Sequence, residues 1–68
     1  MNFAHDLQII RILGHEKTST GVFLEVLFDE GQKASLSLNL VMEISPQLAS
    51  AYLLNFPELY LYHQLYYK

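Results

Sequence analysis

The stretch Val22–Leu40, VFLEVLFDEGQKASLSLNL, predicts a β-hairpin and so decides the class of fold. Its first part, Val22 to Asp29, is rich in β-branched, aromatic and other apolar residues, which is typical of a strand. Glu30-Gly31-Gln32 predicts a tight turn. From Lys33 to Leu40 apolar and polar residues alternate, as they do in an antiparallel sheet with one buried face. The residues of this strand expected to point inward are Ala34, Leu36, Leu38 and Leu40.

The segments on either side of the hairpin predict a further strand and a helix. LQIIRIL, Leu7 to Leu13, has the composition of a strand, and GHEKTSTG, at 14–21, has that of a turn. Val41 to Ile44 is a short connector or a single helical turn. Ser45 and Pro46 then predict a helix start, because serine favours the N-cap and proline favours the first helical position. Phe56-Pro57 predicts its end.

The tail at 57–68, PELYLYHQLYYK, fits two interpretations. The spacing of Leu59, Tyr62, Leu65 and Tyr66 suits a helix, whereas the alternation of leucine and tyrosine at 59–62 suits a strand. The expected fold is a single small α+β domain at 1–68, in which a curled antiparallel sheet of three strands packs against a C-terminal helix. Its elements are strands at about 7–13, 22–29 and 33–40, a helix at about 46–56 and the tyrosine-rich tail.

Composition predicts a protein-binding domain. Hydrophobic residues make up 51% and charged residues 16% of the 68 residues, against a usual charged share of about 25%. A domain of this size buries only about 60% of its unfolded surface, so apolar surface remains for a partner. The net charge is −3 and the four cations are scattered, so we expect no direct nucleic-acid partner. No apolar run approaches the ~20 residues of a membrane span, so no membrane partner is expected.

Residues with catalytic or metal-binding chemistry form no recognisable pattern. The three histidines are far apart in the sequence and are expected to be exposed to solvent, and there is no cysteine. Asp29-Glu30 fits a hairpin turn better than an acid/base pair, and no serine lies in a nucleophile motif. We therefore expect no enzyme activity, no metal and no cofactor.

Two segments resemble the chromo shadow domain of the heterochromatin protein 1 family. They are LEVLFDEGQKASLSL, Leu24 to Leu38, and PQLASAY, Pro46 to Tyr52. Phe28 stands where the family usually has tryptophan, and Ala51-Tyr52 matches its small-then-aromatic pair. The similarity runs from about Leu7 to Leu59 and suggests a divergent paralogue.

The resemblance implies homodimerisation through the last helix and a nearby peptide-binding groove. The helix is expected to bury Leu48, Ala51 and Tyr52 in its own sheet and to offer its other side to a second copy. The implied dimer residues are Ala49, Ser50, Leu53, Leu54 and Pro57. Leu59 falls on the family's tryptophan that grips a partner valine, and tyrosines are enriched at interfaces. The predicted partner-binding residues are therefore Leu59, Tyr60, Tyr62 and Tyr66.

The implied function is that of a protein-interaction module in a heterochromatin-associated adaptor of the nucleus. It would recruit a nonhistone chromatin partner for gene silencing or for small-RNA (piRNA) cluster specification. One alternative is a chromodomain-type reader of methyl-lysine histone tails, with a cage rebuilt from Phe3, Phe28 and a tail tyrosine, since Gly31 occupies the third cage position. The other is a monomeric structural domain whose tail completes the core.

Overall fold

The protein folds as a three-stranded sheet followed by three helices. The computed structural model describes residues 8–67, with the side chains of residues 8–65. The elements are β1 (Ile9–Thr18), β2 (Gly21–Phe28), β3 (Lys33–Ser37), α1 (Leu38–Ile44), α2 (Pro46–Asn55) and α3 (Pro57–Tyr67). The strands form one antiparallel sheet in the order β1-β2-β3. The predicted α+β class, with its curled antiparallel sheet and C-terminal helix, is confirmed.

Strand β1 is longer than predicted, because most of the segment expected to be a turn belongs to it. Glu16 and Lys17 pair with Phe23 and Val22 in regular register. The turn shrinks to two residues and is closed by Thr18, whose hydroxyl donates to the Gly21 carbonyl at 3.0 Å. Polar side chains are compatible with this strand because it is an edge strand of an antiparallel sheet, and such a sheet can expose one face to water.

Two β-bulges bend β1 near its start. The register shifts between Ile9 and Arg11 and again between Ile12 and Gly14, so Ile10 and Leu13 are the extra residues. A bulge redirects the side chains around it and increases the local twist. Ile10 and Leu13 are accordingly 50% and 39% exposed, although both are large and apolar.

Strand β3 ends at Ser37 rather than at the predicted Leu40, because Ser37 starts a helix. Its side-chain oxygen accepts a hydrogen bond from the Leu40 amide at 3.1 Å, which is the usual N-cap arrangement. The connector therefore becomes α1. Leu38 is buried as expected, but the prediction that Leu40 points inward is wrong.

The structure decides the form of the tail, which is helical. Helix α2 begins at the predicted Pro46 and ends one residue early, at Asn55. Helix α3 then begins at Pro57 with Glu58 in its first turn, where a negative charge interacts favourably with the helix dipole. No helix within residues 8–67 is long and apolar enough to cross a membrane.

The core lies between β2 and the three helices. One face of β2 contributes three residues, and each helix contributes one or two. The buried set is Val22, Leu24, Val26, Leu38, Val41, Ala49, Leu53 and Leu59.

The predicted orientation of α2 is wrong. Ala49 and Leu53 face the core, whereas Ala51 is exposed and Leu48 and Tyr52 are only half-buried. Burial of the pair four residues apart reflects helix geometry, because positions i and i+4 share one face.

Candidate functional site

An uncharged groove lies where α1, α2 and α3 meet. Its volume is about 550 Å³. We call it the α2–α3 face. Its lining residues are Met42, Ser50, Leu53, Leu54, Pro57, Tyr60 and Leu61. None of them carries a charge at neutral pH, so this face differs from an ordinary solvated surface.

Two leucines project from the α2–α3 face. Leu54 is 83% exposed and Leu61 is 68% exposed, and Tyr60 and Leu65 are exposed beside them. Single exposed leucines are common on proteins, but several next to one groove form a patch of the kind that binds partners.

The short connection between α2 and α3 helps to form the groove. Only Phe56 separates the two helices, and its amide donates to the Leu53 carbonyl at 3.0 Å. The Leu59 amide in turn donates to the Phe56 carbonyl at 2.9 Å, so the new helix begins at once. This connection brings the last turn of α2 against the first turns of α3.

Helix α3 is fixed in place by its inner side. Leu59 is fully buried and His63 is only 5% exposed. The Tyr62 hydroxyl donates to the Thr18 carbonyl at the end of β1, and the Lys17 ammonium lies 5.5 Å from the centre of the Tyr62 ring. Burial lowers the pKa of His63 from its ordinary 6.5, because the charged form loses hydration. The outer side of α3 is thus held in a defined orientation.

Helix α2 is fixed by an aromatic cluster against β1. His15 Nδ1 lies 2.7 Å from the Tyr52 hydroxyl, and the His15 ring packs edge-on to Phe56 with centroids 4.9 Å apart. The Tyr52 and Phe56 rings are 4.7 Å apart. Desolvation raises the pKa of Tyr52, which remains a neutral phenol at physiological pH.

The structure brings together some of the predicted interface residues and separates others. Ser50, Leu54, Pro57 and Tyr60 line the α2–α3 face, with Leu53 nearly buried beneath it. The expectation that Ala49 and Leu53 are offered outward is wrong, since both pack in the chain's own core.

The predicted partner-binding residues lie on different sides of α3. Leu59 is buried in the core, and Tyr62 is directed to β1. The side chain of Tyr66 lies outside the described residues. Sequence reasoning missed Met42 and Leu61 as groove residues. The helical spacing of Pro57, Leu61 and Leu65 was the available signal, because residues four apart share a helix face.

A methyl-lysine cage using Tyr62 does not assemble. Tyr62 bonds to Thr18, which pairs with Gly21 at the start of β2, whereas Phe28 ends that strand. At about 3.3 Å per residue, the two ends of β2 are roughly 23 Å apart. A cage needs its aromatic faces within about 6 Å of one cation. Phe3 lies outside the described residues.

Titratable groups form no metal cluster in the described part of the chain. Within residues 8–67, no three His, Cys, Asp or Glu side chains come together. His15 is exposed as expected, but the expected exposure of His63 is wrong, because α3 turns it into the core. His5 lies outside the described residues.

No protein-family model, curated protein or solved structure matches this chain.

Proposed function

We propose that this chain is a protein-interaction module that homodimerises through the α2–α3 face. In this proposal it belongs to a nuclear, heterochromatin-associated adaptor and recruits a nonhistone chromatin partner. The observation that carries the proposal is an uncharged groove flanked by Leu54 and Leu61, which are 83% and 68% exposed. Burial of such side chains stabilises an interface by about 25 cal/mol per Å² of apolar surface.

A second copy of the chain fits this face for two reasons. A twofold interface requires one patch to be complementary to itself, and here the projecting leucines and the groove lie side by side. The whole chain has a net charge of −3, which opposes contact between copies through most surfaces. The residues that line the α2–α3 face are uncharged, so two copies that meet there bury no like charges against each other.

The chromatin setting rests on the resemblance of the sequence to the chromo shadow family. Ser50, Leu54 and Pro57 fall at positions that the resemblance assigns to the dimer contact, and they also line the groove. Tyr60 lies on the same face and provides a rigid ring with a polar end, which suits a partner site. Nuclear location, gene silencing and small-RNA cluster specification follow from the resemblance alone.

The test is sedimentation equilibrium of the wild type and of Leu54→Glu over a range of concentrations. An unpaired carboxylate buried in an interface costs about 3–5 kcal/mol. We therefore expect the dimer dissociation constant to rise at least about 100-fold. The matched control is Leu13→Glu, which adds the same charge at an exposed leucine on β1. This variant should dimerise as the wild type does.

A monomeric wild type at every concentration would overturn the dimer proposal. It would favour the structural-domain alternative, which the full burial of Leu59 supports. A Leu54→Glu variant as dimeric as the Leu13→Glu control would place the dimer contact elsewhere and also refute the proposal.

A further inference from the structure

A second groove, separate from the α2–α3 face, lies between strand β1 and helix α2. Its volume is about 260 Å³. We call it the β1–α2 groove. Its lining residues are Ile10, Arg11, Ile12, Leu48, Ala51, Tyr52 and Asn55. The two grooves share no residue.

We infer that the β1–α2 groove binds an extended peptide that has an acidic residue between two apolar residues. The walls of the groove are mostly apolar, and its one charged lining residue is Arg11. Among the described residues the Arg11 side chain has no ion pair. A guanidinium without an ion pair to the described carboxylates is well suited to a carboxylate from a partner, which it can bind through two parallel hydrogen bonds.

The groove is open because of the first bulge in β1. The extra residue, Ile10, is half exposed at the groove rather than packed in the sheet. Ala51 on α2 is exposed and small, which leaves space between helix and strand. β1 is also an edge strand, and among the described residues no backbone hydrogen bond joins Ile9–Lys17 to anything but β2. An added peptide backbone can therefore approach this edge.

The groove dimensions fix the length of the bound segment. Leu48 and Asn55 are seven residues apart on α2, which is about 10 Å at 1.5 Å per residue. An extended peptide covers that distance with about three residues at 3.3 Å each.

The order of the three peptide residues follows from the strand. Ile12 pairs with Val26 on the core side of the sheet, whereas Arg11 pairs with Leu27 on its outer side. Neighbouring side chains of an extended peptide also point to opposite sides. Two apolar side chains of the peptide can thus face Ile12 and helix α2, while the residue between them faces Arg11 in the same groove.

The experiment is an amide chemical-shift titration of the ¹⁵N-labelled domain with two synthetic peptides. The probe is acetyl-Leu-Val-Asp-Val-Leu-amide and the control is acetyl-Leu-Val-Lys-Val-Leu-amide. We expect shifts at Ile10–Ile12 and Leu48–Asn55, half-saturation below about 1 mM and at least about tenfold weaker binding of the lysine peptide.

Two charge-reversal variants make the test specific. Arg11→Glu should lose the preference for the aspartate peptide by at least about tenfold. Lys33→Glu changes the net charge equally, but it lies on β3, two strands from Arg11 and about 10 Å away. That distance exceeds the screening length of about 8 Å at physiological salt, so Lys33→Glu should keep the preference.

Three results would overturn the inference. They are the absence of shifts at millimolar peptide, shifts confined to the α2–α3 face, and an unchanged preference in Arg11→Glu. The proposed dimer is tested separately, because Leu54→Glu does not touch this groove. A monomeric domain that binds the aspartate peptide would refute the dimer and support the groove.

Discussion

Leu59 and Leu61 lie two positions apart on one helix and have opposite surroundings. Leu59 is completely buried among β2, α1 and α2, whereas Leu61 is 68% exposed at the α2–α3 face. Two positions on an α-helix turn by about 200°, so the residues point to opposite sides. Helix α3 therefore has an apolar inner side, which contains Leu59, and an apolar outer side, which contains Leu61. The inner side holds the fold together, and the outer side is available to a partner.

We expect the largest difference between the inner and outer sides of α3 when Leu59 and Leu61 are each replaced by alanine and the free energy of unfolding is measured. Leu59→Ala leaves a cavity in the core and should lower the free energy of unfolding by about 2–5 kcal/mol. Leu61→Ala removes exposed atoms and should change it by less than about 0.5 kcal/mol. Urea denaturation at a low protein concentration, where association does not contribute, measures both values.

Equal losses of stability in the two variants would contradict the distinction between the inner and outer sides of α3. They would mean that Leu61 is covered in the isolated chain and that α3 has no free outer side.

A smaller effect is expected from removing one hydroxyl from each side of α3. Tyr62→Phe loses the hydrogen bond to the Thr18 carbonyl while keeping the ring over which Lys17 lies. This change should cost about 1 kcal/mol of folding stability. Tyr60→Phe, on the exposed side, is the matched control and should be neutral in the same thermal or urea unfolding measurement. A neutral Tyr62→Phe would show that the hydroxyl does not fix α3 to β1.

The pH dependence of folding stability gives a further test of the inner side of α3, because His63 lies there. Burial lowers the pKa of His63 in the folded protein, so the unfolded chain binds more protons just below the ordinary pKa of 6.5. Stability from this group is complete above pH 6.5 and is lost as the pH falls through the folded-state pKa.

The measurement is the urea midpoint between about pH 7.5 and about pH 5.5. His63→Gln should flatten the pH dependence of the urea midpoint. An equal slope in wild type and His63→Gln would contradict the buried position of His63.

Local signals in the sequence predict best those strands and helices whose first and last residues are of a type that favours a strand or helix boundary. The alternation after Lys33 and the proline at position 46 predict β3 and α2 at their first residues. Ser45 precedes α2 as predicted, but its side chain makes no cap hydrogen bond. β2 is predicted to within one residue at each end. Polar composition misassigned the second half of β1, because pairing with β2 determines a strand at the sheet edge more strongly than side-chain polarity does. Ser37 had the correct residue type for an N-cap, but the alternation around it masked that signal.

The candidate site was harder to predict because α2 is apolar on nearly every side. Leu48, Ala49, Ala51, Leu53 and Leu54 are all plausible core residues by type alone. The rotation of α2 is decided by contacts with other elements, which include the packing of Ala49 and Leu53 in the core and the contacts of His15 with Tyr52 and Phe56. No periodicity within α2 reveals those contacts. Five of the seven groove residues were nevertheless assigned to an interface: Ser50, Leu53, Leu54, Pro57 and Tyr60.

The most direct test of the central claim is an isotope-filtered NOE measurement on a mixed sample. Half of the chains carry ¹³C-labelled leucine methyl groups and half are unlabelled, so the selected signals report only contacts between copies. We predict intermolecular NOEs from the methyl groups of Leu54 and Leu61 to the Tyr60 ring of the other copy. The absence of intermolecular NOEs at millimolar protein, or NOEs confined to the sheet, would contradict it.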